Sequence, residues 1–193
     1  MQRPRFVHLH LHTDYSLLDG ACEIQRLVEQ TARQQMPAVA VTDHGNLFAA
    51  VKFYQAARAG GIQPILGCEV YVTRDSRHSR TGNGERTHHL VLLAENNEGY
   101  HNLVRLVSSG YVEGFYYKPR LDKELLATHR RGLIALSACL RGEVASRLLE
   151  NDYAAARQAA NELQDIFGRG NFFLEIQDQG LELEHSIQYD QLR

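Results

Sequence analysis

Residues 38–46 read AVAVTDHGN, a run of small apolar residues that ends in an Asp-His pair and a glycine. An uninterrupted apolar run of this length, with flanking turn residues, is typical of a buried strand. Asp43 and His44 follow its carboxyl end, and Gly45 lets the chain turn there. A helix cap formed by Asp43 is the simpler alternative for this pattern.

Apolar runs and helical patterns alternate along the chain on both sides of this stretch. Strands are predicted at 6–9, 38–41, 62–72, 90–94, 133–136 and 172–176. Helices are predicted at 24–35, 47–59, 100–111, 143–150 and 154–167, and an exposed polar loop at 76–86. Strands and helices that alternate at this spacing favour an α/β fold built on a parallel sheet or barrel.

The polar residues with chemical potential lie where these strands end. In parallel α/β folds, reactive groups collect at the carboxyl ends of the strands. Residues in or directly after four predicted strands fit this rule: His10, His12, Asp43, His44, Glu69 and Cys139. His89 is the exception, because it directly precedes the predicted strand LVLLA.

The histidines offer nitrogen ligands in short clusters. His10 and His12 would share one face of an extended strand, although the same alternation can place polar side chains towards solvent. Asp19 offers a carboxylate after a short turn. Neighbouring strand residues point to opposite faces, so at most one of His88 and His89 is expected in a shared site.

Glu69 and Cys139 each allow two interpretations. Glu69 lies in the apolar stretch PILGCEVYV, where an unpaired buried carboxylate would be costly. A metal ion or another cation would compensate its charge, unless Glu69 faces solvent on an edge strand. Cys139 is either a thiolate ligand or a small buried hydrophobic residue.

A mixed set of His, Asp, Glu and Cys ligands favours Zn²⁺, Mn²⁺ or Fe²⁺ over Mg²⁺ and Ca²⁺. Clustered ions of this kind support phosphoryl displacement. Neither a G-x-x-x-x-G-K-[ST] phosphate loop nor a G-x-S-x-G nucleophile motif occurs in the sequence.

Composition narrows the class of protein further. The 193 residues, 44% of them hydrophobic, fit one domain. The net charge of −2 gives no overall attraction to nucleic acid, so any DNA contact needs a local basic patch. Three widely spaced cysteines make a disulfide framework improbable, and we expect a cytoplasmic protein with no membrane-spanning segment.

Three long stretches carry a resemblance to a known family. Residues 6–20, 41–72 and 103–122, which include DYSLLDG, GNLFAAVKFY and EGFYYKPRLD, resemble the polymerase and histidinol phosphatase (PHP) domain of bacterial DNA polymerase III alpha subunits. The resemblance runs through essentially the whole chain. It implies a distorted (β/α)7 barrel.

The resemblance also implies a set of metal ligands at matching positions: His10, His12, Asp19, His44, Glu69, His89 and Cys139. These would hold divalent Zn, Mn or Fe ions in a cluster of up to three, with Glu69 as a bridging carboxylate. Catalytic roles are expected for Glu69, His12 and His44. His8 and His88 are left out of the set.

As a function, the resemblance implies an accessory domain of a replicative polymerase with 3′–5′ exonuclease activity. Its partners would be DNA and other polymerase subunits, including the proofreading subunit. A stand-alone phosphoesterase for a small phosphate ester and a purely structural metal domain remain alternatives.

The family's closing Asp-x-His motif does not occur before Arg193. We therefore expect residues 1–193 to be the N-terminal part of a longer protein. The same departure predicts an incomplete barrel with an exposed sheet edge and weak metal retention.

Overall fold

One mixed sheet, accompanied by helices, organises the chain. The computed structural model describes residues 6–80 and 87–191. The strands are β1 (Ala38–Val41), β2 (Gln63–Val72), β3 (His88–Ala94), β4 (Arg120–Leu121), β5 (Leu133–Leu136) and β6 (Phe172–Phe173). The helices are α1 (Ile24–Arg33), α2 (Ala50–Ala59), α3 (Asn97–Val112), α4 (Lys123–Thr128), α5 (Glu143–Leu149), α6 (Tyr153–Phe167) and α7 (Glu182–Gln191).

The α/β class is confirmed, but the sheet is not wholly parallel. Its strand order is β1-β2-β3-β5-β6, with β4 beside β2. The pairs β1–β2, β2–β4 and β5–β6 are parallel, whereas β3 runs antiparallel to both β2 and β5. Parallel neighbours need a crossover connection, usually a helix. The described part of the connection from β2 to β3 contains no helix, which fits a strand that returns directly.

The direction of β3 explains the placement of His89. His89 is the second residue of β3 and does not precede the strand as predicted. Because β3 is antiparallel, its first residues lie at the same edge where β2 and β5 end. Tyr71 in β2 pairs with His89 in register. The carboxyl ends of β2 and β5 and the start of β3 therefore share one edge of the sheet.

Two apolar clusters hold the sheet against its helices. On one side, α1 and α2 bury Ile24, Val28 and Phe53 against Val39 and Val41 of β1. The larger cluster joins β2, β3 and β5 to α3 and α6, and its fully enclosed members include Leu92, Leu103, Leu106, Leu126 and Ala135. These helices carry their apolar residues at the spacing that places them on one face.

The predicted strand at residues 6–9 is wrong. The segment does lie beside β1, where the Ala40 amide donates to His8 O at 2.9 Å and the Thr42 amide donates to Leu11 O at 2.9 Å. The Thr42 hydroxyl also accepts from the Leu11 amide at 2.9 Å. Side-chain hydrogen bonds thus replace part of the regular ladder, and residues 6–12 are irregular, with a bend at His10.

Other element boundaries differ from the prediction for local reasons. The helix predicted at 47–59 begins only at Ala50, because the Phe48 amide donates to the Asn46 side chain and forms a turn. The strand predicted at 172–176 ends at Phe173, since the Glu175 amide donates to the Ser137 hydroxyl at 2.8 Å.

Sequence patterns missed β4, α4 and α7. Of the predicted loop at 76–86, residues 76–80 are irregular and 81–86 lie outside the described residues.

The sheet is not closed by backbone hydrogen bonds among the described residues. Six strands are present there rather than the expected seven. Residues 6–10, beside β1, face residues 173–177, at the end of β6 and after it, across a cavity of about 840 Å³. We call these two segments the seam. Side chains bridge it, because His10 Nδ1 lies 2.7 Å from Glu175 Oε1. None of the helices in the described ranges is long and apolar enough to cross a membrane.

A buried carboxylate ties the loop after β2 to α4. Asp122 caps α4 through the Leu125 amide at 3.0 Å and accepts from the Arg77 amide at 2.9 Å and its guanidinium at 3.0 Å. We expect Asp122→Ala to lower the free energy of unfolding by about 2–3 kcal/mol, since α4 loses its cap and the Arg77 amide loses its buried acceptor, although Glu113 still pairs with the Arg77 guanidinium at 2.8 Å. Urea denaturation measures this loss.

Asp152→Ala is the matched control, because Asp152 caps α6 through the Ala155 amide at 2.9 Å but is exposed. Its expected loss is about 1 kcal/mol. Burial would raise the pKa of Asp122, but the donors from Arg77 and Leu125 outweigh it and lower the pKa. The contribution of Asp122 is therefore complete above the unfolded-state pKa of roughly 3.9 and is lost as pH falls through the lower folded-state value. Equal losses in the two variants would contradict this account.

Candidate metal centre

The site is built around the carboxylate of Glu69, which is 1% exposed. Its Oε2 lies 2.5 Å from His10 Nε2 and 3.5 Å from His12 Nε2. Its Oε1 lies 3.1 Å from His44 Nδ1 and also contacts His89 Nδ1. Because β2 is flanked by β1 and β3, the alternative of a solvent-facing edge residue is wrong.

These contacts divide into two groups that share Glu69. One consists of His10, His12 and Glu69, and the other of His44, Glu69 and His89. In each group, the atoms able to bind a metal ion lie within 4.8 Å of one another. A carboxylate that directs one oxygen to each group has the geometry of a bridging ligand.

Backbone pairing places His44 against Glu69. The Gly45 amide donates to Glu69 O at 2.8 Å, and the Glu69 amide donates to Asp43 O at 3.1 Å. The positive φ of 62° at Gly45 favours glycine at this turn. The end of β1 is thereby locked to the middle of β2.

Asp43 fixes the loop that carries His12. Its carboxylate accepts from the Thr13 amide at 2.6 Å, the Thr13 hydroxyl at 2.7 Å and the Ser16 hydroxyl at 2.8 Å. Asp43 is 1% exposed and caps no helix, so the cap interpretation is wrong. Asp43 is a positioning residue whose role could not be read from its strand-end location alone.

Asp19 and Cys139 stand at the periphery of the cluster. Asp19 Oδ2 lies 3.1 Å from His44 Nε2, and Cys139 Sγ lies 3.8 Å from His89 Nδ1. All seven residues predicted as ligands line one cleft of about 860 Å³. The excluded His8 and His88 do not line it. The structure therefore brings the predicted set together, while the role of each residue as a ligand stays a prediction.

Glu175 also belongs to this cluster of polar side chains, and it was not predicted from the sequence. Its Oε1 lies 2.7 Å from His10 Nδ1, and Nε2 of the Gln177 side chain donates to the same oxygen at 2.7 Å. His10 thus bridges Glu69 and Glu175 through its two ring nitrogens. The available signal was a carboxylate within the apolar run FFLEI, the same kind of signal that identified Glu69.

The contacts within the cluster stabilise Glu69 as a carboxylate and His10 and His44 as protonated imidazoles. Burial alone would lower the pKa of His10, but hydrogen bonds with Glu175 and Glu69 raise it to about 9. Contact with Glu69 likewise raises the pKa of His44. Burial would raise the pKa of Glu69, yet the surrounding imidazoles lower it far below its usual range. Since a metal ion needs neutral imidazole ligands, binding at this site would release protons.

Several polar atoms of the cluster are buried without a hydrogen-bond partner among the described residues: His12 Nδ1, His44 Nδ1, Glu69 Oε1 and Glu175 Oε2. His44 Nδ1 and Glu69 Oε1 face each other at 3.1 Å without hydrogen-bond alignment. Buried polar atoms without partners cost free energy, and divalent cations would satisfy them. The donor set and its orphaned atoms therefore fit divalent metal binding.

Comparison with known proteins defines the class. Residues 8–179 match the PHP domain family, and the chain belongs to it. Within that family, it is similar to DNA polymerase III subunit alpha of Treponema pallidum, with 48% identity over 97% of this chain and 16% of that protein. The subunit alpha of Thermus aquaticus is 50% identical over 92% of this chain and 15% of its own length. The chain thus spans about one sixth of the length of these relatives.

Solved structures show weaker likeness. A chain from Bifidobacterium adolescentis, assigned as a metal-dependent phosphoesterase, has 12% identity and a TM-score of 0.45 over 97% of this chain and 83% of its own. An amidohydrolase from Chromobacterium violaceum has 21% identity and a TM-score of 0.37 over 82% of this chain and 49% of its own.

We expect His89→Ala to lower the zinc or manganese content per chain, because His89 belongs to the group around Glu69 Oε1. Metal analysis after dialysis measures the content. His8→Ala is the matched control, since His8 is exposed and lies outside the cleft. Equal metal content in the two variants would exclude His89 as a ligand.

Glu175→Gln tests whether this carboxylate orients His10. The substitution keeps the shape and removes the charge, so we expect metal affinity to fall by about 10- to 100-fold with little change in fold. Competition with a chromophoric chelator gives the affinity. Glu182→Gln, at an exposed position of α7, should leave it unchanged. A Glu175→Gln variant with the affinity of the parent chain would rule out the positioning role.

Proposed function

We propose that this cleft binds at least two divalent ions of the Zn²⁺, Mn²⁺ or Fe²⁺ type and hydrolyses phosphodiester bonds at the 3′ end of a DNA strand. The observation that carries the proposal is the buried Glu69 carboxylate, whose two oxygens face separate histidine groups. Among the residues implied by the family, all seven candidate ligands line the same cleft.

The two groups around Glu69 would hold the ions, and Asp19 and Cys139 would complete their coordination. Bound there, such ions supply water activation and stabilisation of charge on the phosphoryl oxygens. Glu69, which is itself buried, would offset part of the charge of the ions. Glu175 holds the ring of His10 in a fixed orientation through Nδ1.

His12 and His44 form the face of the site that a substrate would contact. Their side chains are 23% and 19% exposed, whereas those of His10 and His89 are 8% and 6% exposed. The His12 and His44 rings stack with centroids 4.0 Å apart. His44 Nε2 lies 3.1 Å from Asp19 Oδ2, and the Asp19 side chain is 60% exposed. The solvent-facing side of the cluster is therefore formed by His12, His44 and Asp19.

The similarity to DNA polymerase III alpha subunits supports the larger context of the proposal. We assign residues 1–193 to the N-terminal PHP domain of such a subunit. DNA would be its substrate or product strand, and its protein partners would be other subunits of the polymerase, including the proofreading subunit. The cytoplasm is the compartment where replication would place it.

Glu69→Gln in the full-length protein tests the function. The amide keeps the shape of the side chain but removes the charge shared by the two groups. We expect hydrolysis of a 3′-labelled DNA strand to fall by about 100-fold or more, while polymerase activity and melting temperature stay near those of the parent. Single-turnover assays with added Mn²⁺ or Zn²⁺ measure the rate.

Glu95→Gln, at the exposed position after β3, is the control for the same chemical change. An unchanged nuclease rate in Glu69→Gln would refute the catalytic role. Joint loss of polymerase activity and thermal stability would instead support a structural role for the site. Hydrolysis of a small phosphate ester without hydrolysis of DNA would support the stand-alone phosphoesterase.

A further inference from the structure

Two cationic side chains line the cleft beside the candidate metal centre. The Lys118 ammonium lies 4.3 Å from the centre of the Tyr71 ring. The Tyr71 ring centre in turn lies 5.2 Å from that of His89 and 6.2 Å from that of His44. The Tyr71 ring therefore contacts both Lys118 and the candidate ligands His44 and His89, and Lys118 lines the same cleft as they do.

Arg141 reaches the same cleft from the loop after β5. Its carbonyl oxygen accepts from the His89 amide at 3.0 Å, and Gly142 pairs with His89. The backbone of Arg141 is thus fixed at the start of β3, while its side chain is exposed and lines the cleft. Two different loops converge to present one cation each.

Neither cation is neutralised by a carboxylate within the described ranges 6–80 and 87–187. Of the ion pairs found there, none includes Lys118 or Arg141. Burial lowers the pKa of Lys118, and the nearby charge of Arg141 lowers it further. Glu69 opposes part of this lowering. Two cations that line one cleft without a direct ion-pair partner in the described ranges favour an anion between them.

The backbone that presents Lys118 is strained. Tyr117 has a positive φ of 59°, which is rare for a bulky residue. The Tyr116 amide donates to Lys118 O at 3.1 Å and closes the turn. Such strain persists where the surroundings enforce it, and it concentrates at functional sites. The turn leaves the Tyr117 ring 78% exposed at the mouth of the cleft.

We propose that Lys118 and Arg141 form a phosphate-binding subsite for the terminal nucleotides of a single DNA strand, with Tyr117 stacking on a base. The inference rests on the proposed function, which it deepens by naming the groups that hold the strand. Phe48, 69% exposed, and Tyr111, 43% exposed, line the same cleft and extend the aromatic surface. Cations that follow the backbone and rings that stack on bases are the two elements of single-strand binding.

Binding to the metal-free chain separates this subsite from hydrolysis. Fluorescence anisotropy of a 5′-labelled oligothymidylate of ten nucleotides gives the affinity as a function of salt. We expect Lys118→Gln and Arg141→Gln each to weaken binding about tenfold. Each should also reduce the slope of log K against log salt by about 0.7, the value for one phosphate contact on a single strand. A role in folding alone would leave that slope unchanged.

Arg105→Gln is the matched control, because Arg105 is an exposed cation on α3 outside the cleft. Its affinity and salt slope should stay within twofold of the parent chain. Tyr117→Gly removes the ring at a position where positive φ favours glycine, so the fold should persist. We expect it to weaken oligonucleotide binding but not the competition by inorganic phosphate.

Unchanged affinity and salt slope in both Lys118→Gln and Arg141→Gln would overturn the proposal. Equal competition by a small phosphate ester and by the oligonucleotide would overturn the assignment to a DNA strand. Binding that depends on Lys118 and Arg141, together with absent hydrolysis in the metal-loaded parent, would support the subsite and refute the nuclease function.

Discussion

A carboxylate buried within a sheet needs compensation from its neighbours, and Glu69 obtains it from four imidazoles. Without them, the cost of an isolated buried charge would exceed what a domain of this size can tolerate. The need to place imidazoles around Glu69 determines where the neighbouring segments run. The loop after β1 must return His44 to Glu69, and the segment beside β1 must bring in His10 and His12. Segments from several parts of the fold therefore meet at one carboxylate.

The sheet topology converts this local requirement into an open cleft. Parallel pairing of β1 with β2 brings His44 to Glu69, and the reversed direction of β3 brings His89 to the same edge. The strand residue Tyr71 and the loop residues Lys118 and Arg141 line this cleft. The Tyr71 ring centre lies 4.3 Å from the Lys118 ammonium and 5.2 Å from the ring centre of His89, so one aromatic ring connects Lys118 with the histidine cluster.

Strand periodicity and the strand-end rule predicted much of this arrangement. They located β1, β2 and β5 within about a residue and placed His10, His12, His44, Glu69 and Cys139 at one edge, with His89 as the exception. They could not give the direction of β3, because a local apolar pattern carries no information on orientation. The failure at residues 6–9 has a tertiary cause, since the Thr42 side chain occupies positions of the ladder. Glu175 was missed because its partner, His10, is 165 positions away.

The seam has a thermodynamic consequence. His10 touches Glu69 through one nitrogen and Glu175 through the other, so one imidazole connects the centre of the sheet with both of its ends. An ion held by His10, His12 and Glu69 would act as a reversible cross-link between residues 6–12 and β2, with the loop-closing effect of a disulfide but an occupancy set by free metal concentration. Separation of residues 6–12 from β2 would then require dissociation of the ion, whereas the contact with Glu175 would depend on the orientation of the His10 ring. The metal supply would in this way set how firmly residues 6–12 stay attached to the sheet.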